Sequence, residues 1–263
     1  MTHSAIMPVT VPTVTIGEGM PKILVPIVGA TPDDLRAEVD ALPGRHIDIV
    51  EWRVDHFRAI ADLGSVIDTA ERLSAQLGTT PLLVTCRTSA EGGAAVISDE
   101  QYGALILAVI ESGHAQLIDV ESQRDGDIVA SLIATAHERG VVVITSNHDF
   151  DGTPPKDEIV ARLRRMQELG ADILKIAVMP RSGADVLTLL DATREMHEDY
   201  ATRPLITMSM GALGLVSRLA GQTFGSAATF GMVGTASAPG QVDVDELHAT
   251  LAMLARAQEP AAR

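Results

Sequence analysis

Short apolar runs alternate with longer amphipathic stretches along the chain. The runs cover Lys22 to Val28, Ile47 to Arg53, Leu82 to Arg87, Gln116 to Glu121, Val141 to Asn147, Asp172 to Val178, Pro204 to Met208 and Ser226 to Gly231. They are apolar at successive positions rather than at every second one, the pattern of parallel strands covered on both faces. The stretches between them carry helix-end signals. Thr31 precedes Pro32 at a first helical position, Ser98 and Gln101 have capping-box spacing, and Gly78, Gly113, Gly140 and Gly170 each close a periodic segment. Eight βα units in succession, with no linker or change of composition between them, predict an α/β chain folded as a single (β/α)8 TIM barrel. An open doubly wound sheet is the alternative, disfavoured by the regularity of the units.

Ahead of the first run, Val11 to Ile16 and the chain from Met20 flank Gly17-Glu18-Gly19. This reads as a β-hairpin over residues 11–25 that closes the bottom of the barrel. Residues 1–263 are therefore expected to form one domain. A lid loop is expected over residues 235–242, where Pro239-Gly240 follows the last strand.

Polar residues gather where barrels keep their chemistry, at the C-terminal ends of the strands. Glu51 and Arg53 end the second run, Arg87 ends the third with Glu91 beyond it, and Asp119 and Glu121 end the fourth. Ser146 to Asp149 follow the fifth, Lys175 lies within the sixth, and Met208 to Met210 follow the seventh. Lys175 is the sharpest signal, one of only three lysines and the one set inside an apolar run, with Ile173 and Ala177 on its own face. A buried lysine is costly unless paired or deprotonated, and burial favours the neutral, nucleophilic amine. Such an amine can condense with a ketone, and the resulting iminium acidifies the adjacent C–H bond. His148, one strand earlier, is the candidate base, with Glu51 or Glu91 to orient its second nitrogen. An internal ion pair of Lys175 with Glu51, Asp119 or Glu121 is the competing structural explanation.

Composition narrows the class. Twenty Lys plus Arg against 35 Asp plus Glu give a net charge of −15, which speaks against a nucleic-acid partner. No run is long enough to span a membrane, and no signal peptide is expected. The lone Cys86 suits a cytoplasmic chain and reads as core. Metal-ligand spacings such as HxH and HExxH are absent, so no metal is expected.

Seven segments in order then carry a family resemblance: EWRVD (51–55), CRTSAEGG (86–93), IDVE (118–121), SNHDFDGTPP (146–155), ILKIAVMP (173–180), MSMGALGLVSR (208–218) and SAPGQ (237–241). The chain resembles the type I 3-dehydroquinate dehydratases, imine-forming lyases of the shikimate pathway of aromatic amino acid biosynthesis. The resemblance implies that Lys175 forms a Schiff base with the ketone of 3-dehydroquinate, that His148 transfers protons, and that Glu91 is oriented towards it. It also implies that Arg218 pairs with the substrate carboxylate, that Glu51, Arg53 and Arg87 bind hydroxyls and tune charge, and that Ser237 and Gln241 belong to the closing loop. The resemblance further implies that Met208 and Met210 form apolar walls, that the assembly is a homodimer without metal or organic cofactor, and that the product is 3-dehydroshikimate. Two other functions use the same residues: a class I aldolase acting on a phosphorylated sugar, and a non-catalytic barrel that binds a polyhydroxy acid.

Overall fold

The computed structural model describes residues 5–234 and 237–258. Two short strands, β1 (Val9–Val11) and β2 (Val14–Ile16), pair antiparallel. Eight parallel strands follow: β3 (Lys22–Ile27), β4 (Ile49–Arg53), β5 (Leu82–Thr85), β6 (Leu117–Glu121), β7 (Val142–Asp149), β8 (Ile173–Val178), β9 (Leu205–Ser209) and β10 (Ala228–Phe230). They neighbour one another in chain order, with β10 returning beside β3. A bridge between Leu205 and Ser226 links the ends, the Ala227 amide donating to the Leu205 carbonyl at 2.7 Å, so the ring is nearly closed. Helices α1 (Pro32–Asp40), α2 (Leu63–Leu77), α3 (Asp99–Ser112), α4 (Gly126–Glu138), α5 (Lys156–Glu168), α6 (Gly183–Glu195), the short α7 (Leu215–Leu219) and α8 (Val244–Gln258) alternate with the strands. The architecture is the predicted (β/α)8 barrel.

The helix-end chemistry acts as its residue types dictate. Thr31 accepts the Asp34 amide at the start of α1, and Ser98 and Gln101 form a reciprocal capping box on α3. Gly113 ends α3 in the left-handed conformation.

The pleat explains both the apolar runs and the polar strand ends. Outward-facing Val50, Trp52, Val84, Cys86, Ile118 and Val120 pack with the helices in one core cluster. Inward faces read Ile49, Glu51, Arg53 on β4; Leu117, Asp119, Glu121 on β6; Ile144, Ser146, His148 on β7; and Ile173, Lys175, Ala177 on β8. Ile49, Leu117, Ile144 and Ile173, the lowest of these inward residues, pack in one apolar cluster with Val9, Val11, Val14 and Ile16 of the hairpin. Each such side chain contributes about 1.5–3 kcal/mol on burial. The bottom of the barrel is thereby plugged.

Three details differ from the sequence expectation. The hairpin turns at Pro12-Thr13, with Val11 opposite Val14, rather than at Gly17-Glu18-Gly19. Alternation sets this register, since it sends four apolar side chains to the barrel and leaves Thr10 and Thr15 to bond each other at 3.1 Å; Gly17 and Gly19, both at positive φ, instead lead from the hairpin into β3. Strand β5 stops at Thr85, because the Arg87 and Thr88 amides donate to the carboxylates of Asp55 and Glu121 instead of to a ladder. Strand β7 runs on to Asp149, since His148 and Asp149 continue to pair with Ala177 and Val178.

Candidate active site

At the C-terminal end of the strands a cavity opens between the barrel rim and the loops after β9 and β10. It is lined by Glu51, Arg53, Arg87, Glu91, His148, Lys175, Met208, Met210, Arg218, Ser237 and Gln241, which are all the site positions named from the sequence. Thr235 and Ala236 of the expected lid loop lie outside the described residues.

Asp119 organises the floor. Its Oδ2 accepts from Lys175 Nζ at 2.9 Å, and its Oδ1 accepts from Arg87 Nη2 at 2.7 Å and from Ser146 Oγ at 2.6 Å. Two cations and a hydroxyl hold its carboxyl well below the usual carboxylate range despite complete burial. Lys175 also lies 3.7 Å from Glu51 Oε1, which in turn accepts from Thr85 Oγ1 at 2.8 Å. The Phe230 ring covers the amine, its centroid 4.7 Å from Nζ. Lys175 is therefore ion-paired inside the barrel, as the competing structural explanation expected, while it also lines the cavity.

Arg87 is a hub rather than a free cation. Besides Asp119 it donates to Glu121 Oε1 at 2.9 Å, Ser146 Oγ at 3.0 Å and Glu91 Oε2 at 3.3 Å. Thr88 holds Glu121 from the other side, through its amide at 2.8 Å and its hydroxyl at 2.6 Å. Arg53 is committed to a bidentate pair with Asp55, at 2.8 and 2.7 Å. The carboxylates a divalent ion would use are thus bonded to cations and hydroxyls.

His148 projects from β7 with Nδ1 2.9 Å from Glu91 Oε2. The same oxygen accepts the His148 amide at 2.9 Å. Because this oxygen already serves as an acceptor, Nδ1 is assigned the proton and Nε2 the lone pair. Burial, then the charges of Arg87 and Lys175, push the imidazole pKa well below its ordinary 6.5, so the ring is neutral near pH 7. Burial pushes Glu91 up to about 7, against the pull of Arg87.

Arg218 stands apart. It is 2% exposed on α7, donating to Met208 Sδ at 3.4 Å and to the Pro239 carbonyl at 3.2 Å, while its Nε has no partner. No carboxylate among the described residues pairs with it, and burial alone draws its pKa from 12.5 to about 10. The segment that caps it is tied together by Gln241, which accepts the Ser237 amide at 2.8 Å and donates to Ser237 Oγ at 3.1 Å. Cys86 faces the outer core, its thiol pushed up by burial, which agrees with its reading as an inert core residue.

A sequence model of the family described as type I 3-dehydroquinase matches residues 23–258. The chain belongs to the type I 3-dehydroquinase family. The 3-dehydroquinate dehydratase of Salmonella agona (strain SL483) is 51% identical over 249 residues, which is 95% of this chain and 99% of the relative. The type I 3-dehydroquinate dehydratase of Clostridium difficile, solved with covalent modified comenic acid, superposes with a TM-score of 0.92 at 46% identity, covering 96% of this chain and 99% of that one. The Geobacillus kaustophilus 3-dehydroquinate dehydratase gives 0.91 at 38% identity over 97% of this chain and 98% of its own. As a type I 3-dehydroquinase the chain is a lyase that dehydrates 3-dehydroquinate, and the aldolase and binding-protein alternatives fall away. No helix among the described residues is long and apolar enough to cross a membrane.

The sequence reading missed several contributors to the 3-dehydroquinase site. Phe230, Thr85 and Phe150 line the cavity, and Asp55 fixes Arg53. Phe230 and Thr85 sit at inward positions of their strands, a signal available from the pleat, whereas the reach of Asp55 back to the Ala94 amide needs the folded loops.

Proposed function

We propose that this dehydratase works through an imine on Lys175, with His148 as the proton carrier and Arg218 as the carboxylate anchor. The observation that carries the reading is the place of Lys175, 3% exposed on the inner face of β8 and lining a cavity shared with a neutral imidazole and an unpaired guanidinium. Nitrogen must first lose its proton, and the neutral imidazole of His148, which lines the same cavity, is the base for it, while Asp119, hydrogen-bonded to Nζ at 2.9 Å and held ionised, orients the amine. The amine then forms an N–C bond with the ketone carbon while the carbonyl π pair moves to oxygen; that oxygen takes one proton from the attacking nitrogen and a second from the imidazolium of His148 and leaves as water, the nitrogen lone pair forming the C=N bond of the iminium. The iminium draws electrons from the adjacent carbon, and Nε2 of His148 removes a proton there to give an enamine. Return of the enamine electrons expels the hydroxyl one carbon further on, with a proton from the imidazolium, as a second water. Hydrolysis of the imine consumes one water, so one water is lost overall, and releases the product and Lys175.

In this reading Glu91 orients His148 through Nδ1, while Glu51, Arg53 and Arg87 set the polarity of the hydroxyl-binding side. Met208 and Met210 form the apolar wall, and Ser237 with Gln241 close over the substrate. Arg53, Arg87 and Lys175 are balanced by Asp55, Asp119, Glu121 and Glu51, so Arg218, with no carboxylate partner among the described residues, is the cation that makes this end of the cleft suitable for an anion in spite of the acidic exterior. The covalent ligand of the Clostridium difficile relative is in keeping with a nucleophile in such a site. The same reading takes residues 1–263 as one catalytic domain with a lid over 235–242, acting as a cytoplasmic homodimer, which light scattering tests.

Borohydride added during turnover is expected to leave a reduced substrate adduct on Lys175, found by peptide mass spectrometry and absent in Lys175→Ala. An adduct on Lys22 or Lys156, or none while turnover continues, overturns the assignment.

A further inference from the structure

Strand β7 sends Ser146 and His148 into the barrel and Asn147 outward to the helical layer, where its neighbour across the ladder is Ile176. Asn147 is nonetheless buried, and both ends of its amide are engaged. Nδ2 donates to Glu91 Oε1 at 3.2 Å, and Oδ1 accepts from Nη1 of Arg162, on α5, at 3.0 Å. A guanidinium has only donors to offer, so the amide oxygen must face Arg162 and the NH2 group must face the carboxylate. Arg162 is itself held by Asp149 Oδ2 at 3.2 Å and by Glu158 Oε1 at 2.8 Å. A cation outside the barrel therefore sets the direction of an amide that touches Glu91.

The two oxygens of Glu91 are not equivalent. Oε2 receives the His148 amide, His148 Nδ1 and Arg87, whereas among the described residues the hydrogen-bond donor to Oε1 is the Asn147 amide. With Oε1 tethered, rotation of the carboxylate is blocked and Oε2 stays on the imidazole.

We infer that Asn147 and Arg162 are positioning residues for the Glu91–His148 pair, a hydrogen-bonded relay from α5 that holds the carboxylate in register with the imidazole. The inference rests on the reading of His148 as the proton carrier. Other groups facing the pair are Arg53 on β4, Arg87 after β5, Asp119 and Glu121 on β6, and Lys175 on β8. Since the Asn147 hydrogen bond favours the charged carboxylate, its loss lets buried Glu91 keep its proton to higher pH.

The test is steady-state dehydration of 3-dehydroquinate across pH by Asn147→Leu, Arg162→Met, Arg162→Lys, the Asn147→Leu/Arg162→Met double variant and Glu91→Gln. Asn147→Leu is expected to lower kcat about ten-fold with KM changed by less than about two-fold, and to move the limb of the kcat profile set by this pair to higher pH. Arg162→Lys keeps most of the activity that Arg162→Met loses, and the double variant is no worse than Asn147→Leu alone, because both changes break one chain of bonds. Wild-type kcat and pH profile in Asn147→Leu, or losses that multiply in the double variant, overturn the inference. If Glu91→Gln also keeps wild-type kcat, the role given to the pair fails with it; if Glu91→Gln is impaired and Asn147→Leu is not, only the relay fails. Should Asn147→Leu not fold, Asn147→Asp preserves shape and the acceptor for Arg162 while setting a carboxylate against Glu91, and wild-type turnover in that variant overturns the inference equally.

Discussion

The buried, unpaired guanidinium of Arg218 makes a prediction about stability as well as binding. Arg218→Met keeps the length of the side chain and removes the charge. Burial alone draws the guanidinium from 12.5 to about 10, a penalty on the charged form of about 3 kcal/mol in the empty enzyme. The hydrogen bond to the Pro239 carbonyl offsets about 1 kcal/mol of that, so the variant is expected to be more stable than wild type by about 2 kcal/mol. For a chain of this length the melting temperature should rise by roughly 4–8 °C. Binding moves the other way: loss of a desolvated carboxylate partner should raise KM by about thirty-fold to several hundred-fold, the equivalent of about 2–4 kcal/mol. Urea unfolding and calorimetry without ligand, paired with initial rates, read both effects. A folded variant that melts at or below the wild-type temperature, or one with an unchanged KM, refutes the argument that this cation is held unpaired for an anion.

Three further outcomes follow from the network. Glu91 has its pKa raised from 4.5 to about 7, so the stability it lends is complete below about pH 4.5 and is lost as pH rises through 7; the difference in unfolding free energy between Glu91→Gln and wild type should grow by about 3 kcal/mol over that window, and a flat difference contradicts the raised value. Asp119→Asn leaves Arg87 and Lys175 facing each other without their shared carboxylate and should cost about 3–5 kcal/mol in urea unfolding, whereas a loss below about 1 kcal/mol shows that Glu51 and Glu121 suffice. At Gly240, φ is +81° and an added Cβ would lie 2.4 Å from the Gly211 carbonyl oxygen, so Gly240→Ala should undock the 237–241 segment and raise KM about ten-fold without changing the unfolding midpoint; an unchanged KM removes that contact from substrate closure.

Much of this molecule was legible in the linear chain. Continuous apolar runs at βα spacing sufficed for the barrel, because a strand buried on both faces has no other way to read. Lys175, His148, Arg87 and Glu91 stood out because polar residues at strand ends have no structural reason to cluster. The hairpin was found but its turn was misplaced: glycines mark a turn without saying which one, and the choice fell to the register that buries Val9, Val11, Val14 and Ile16.

What the amino-acid order determined by itself was therefore the periodicity, the strand ends and the family. Tertiary structure alone decided how the charges are distributed among partners. Asp119 meets Lys175, Arg87 reaches Glu121 and Ser146, Asn147 links Glu91 to Arg162, and Arg218 has no carboxylate partner among the described residues, because barrel closure brings together groups far apart in the chain. Periodicity specifies which face a side chain occupies, whereas the partner it finds on that face depends on the register and stagger of neighbouring strands, and that is a property of the closed ring.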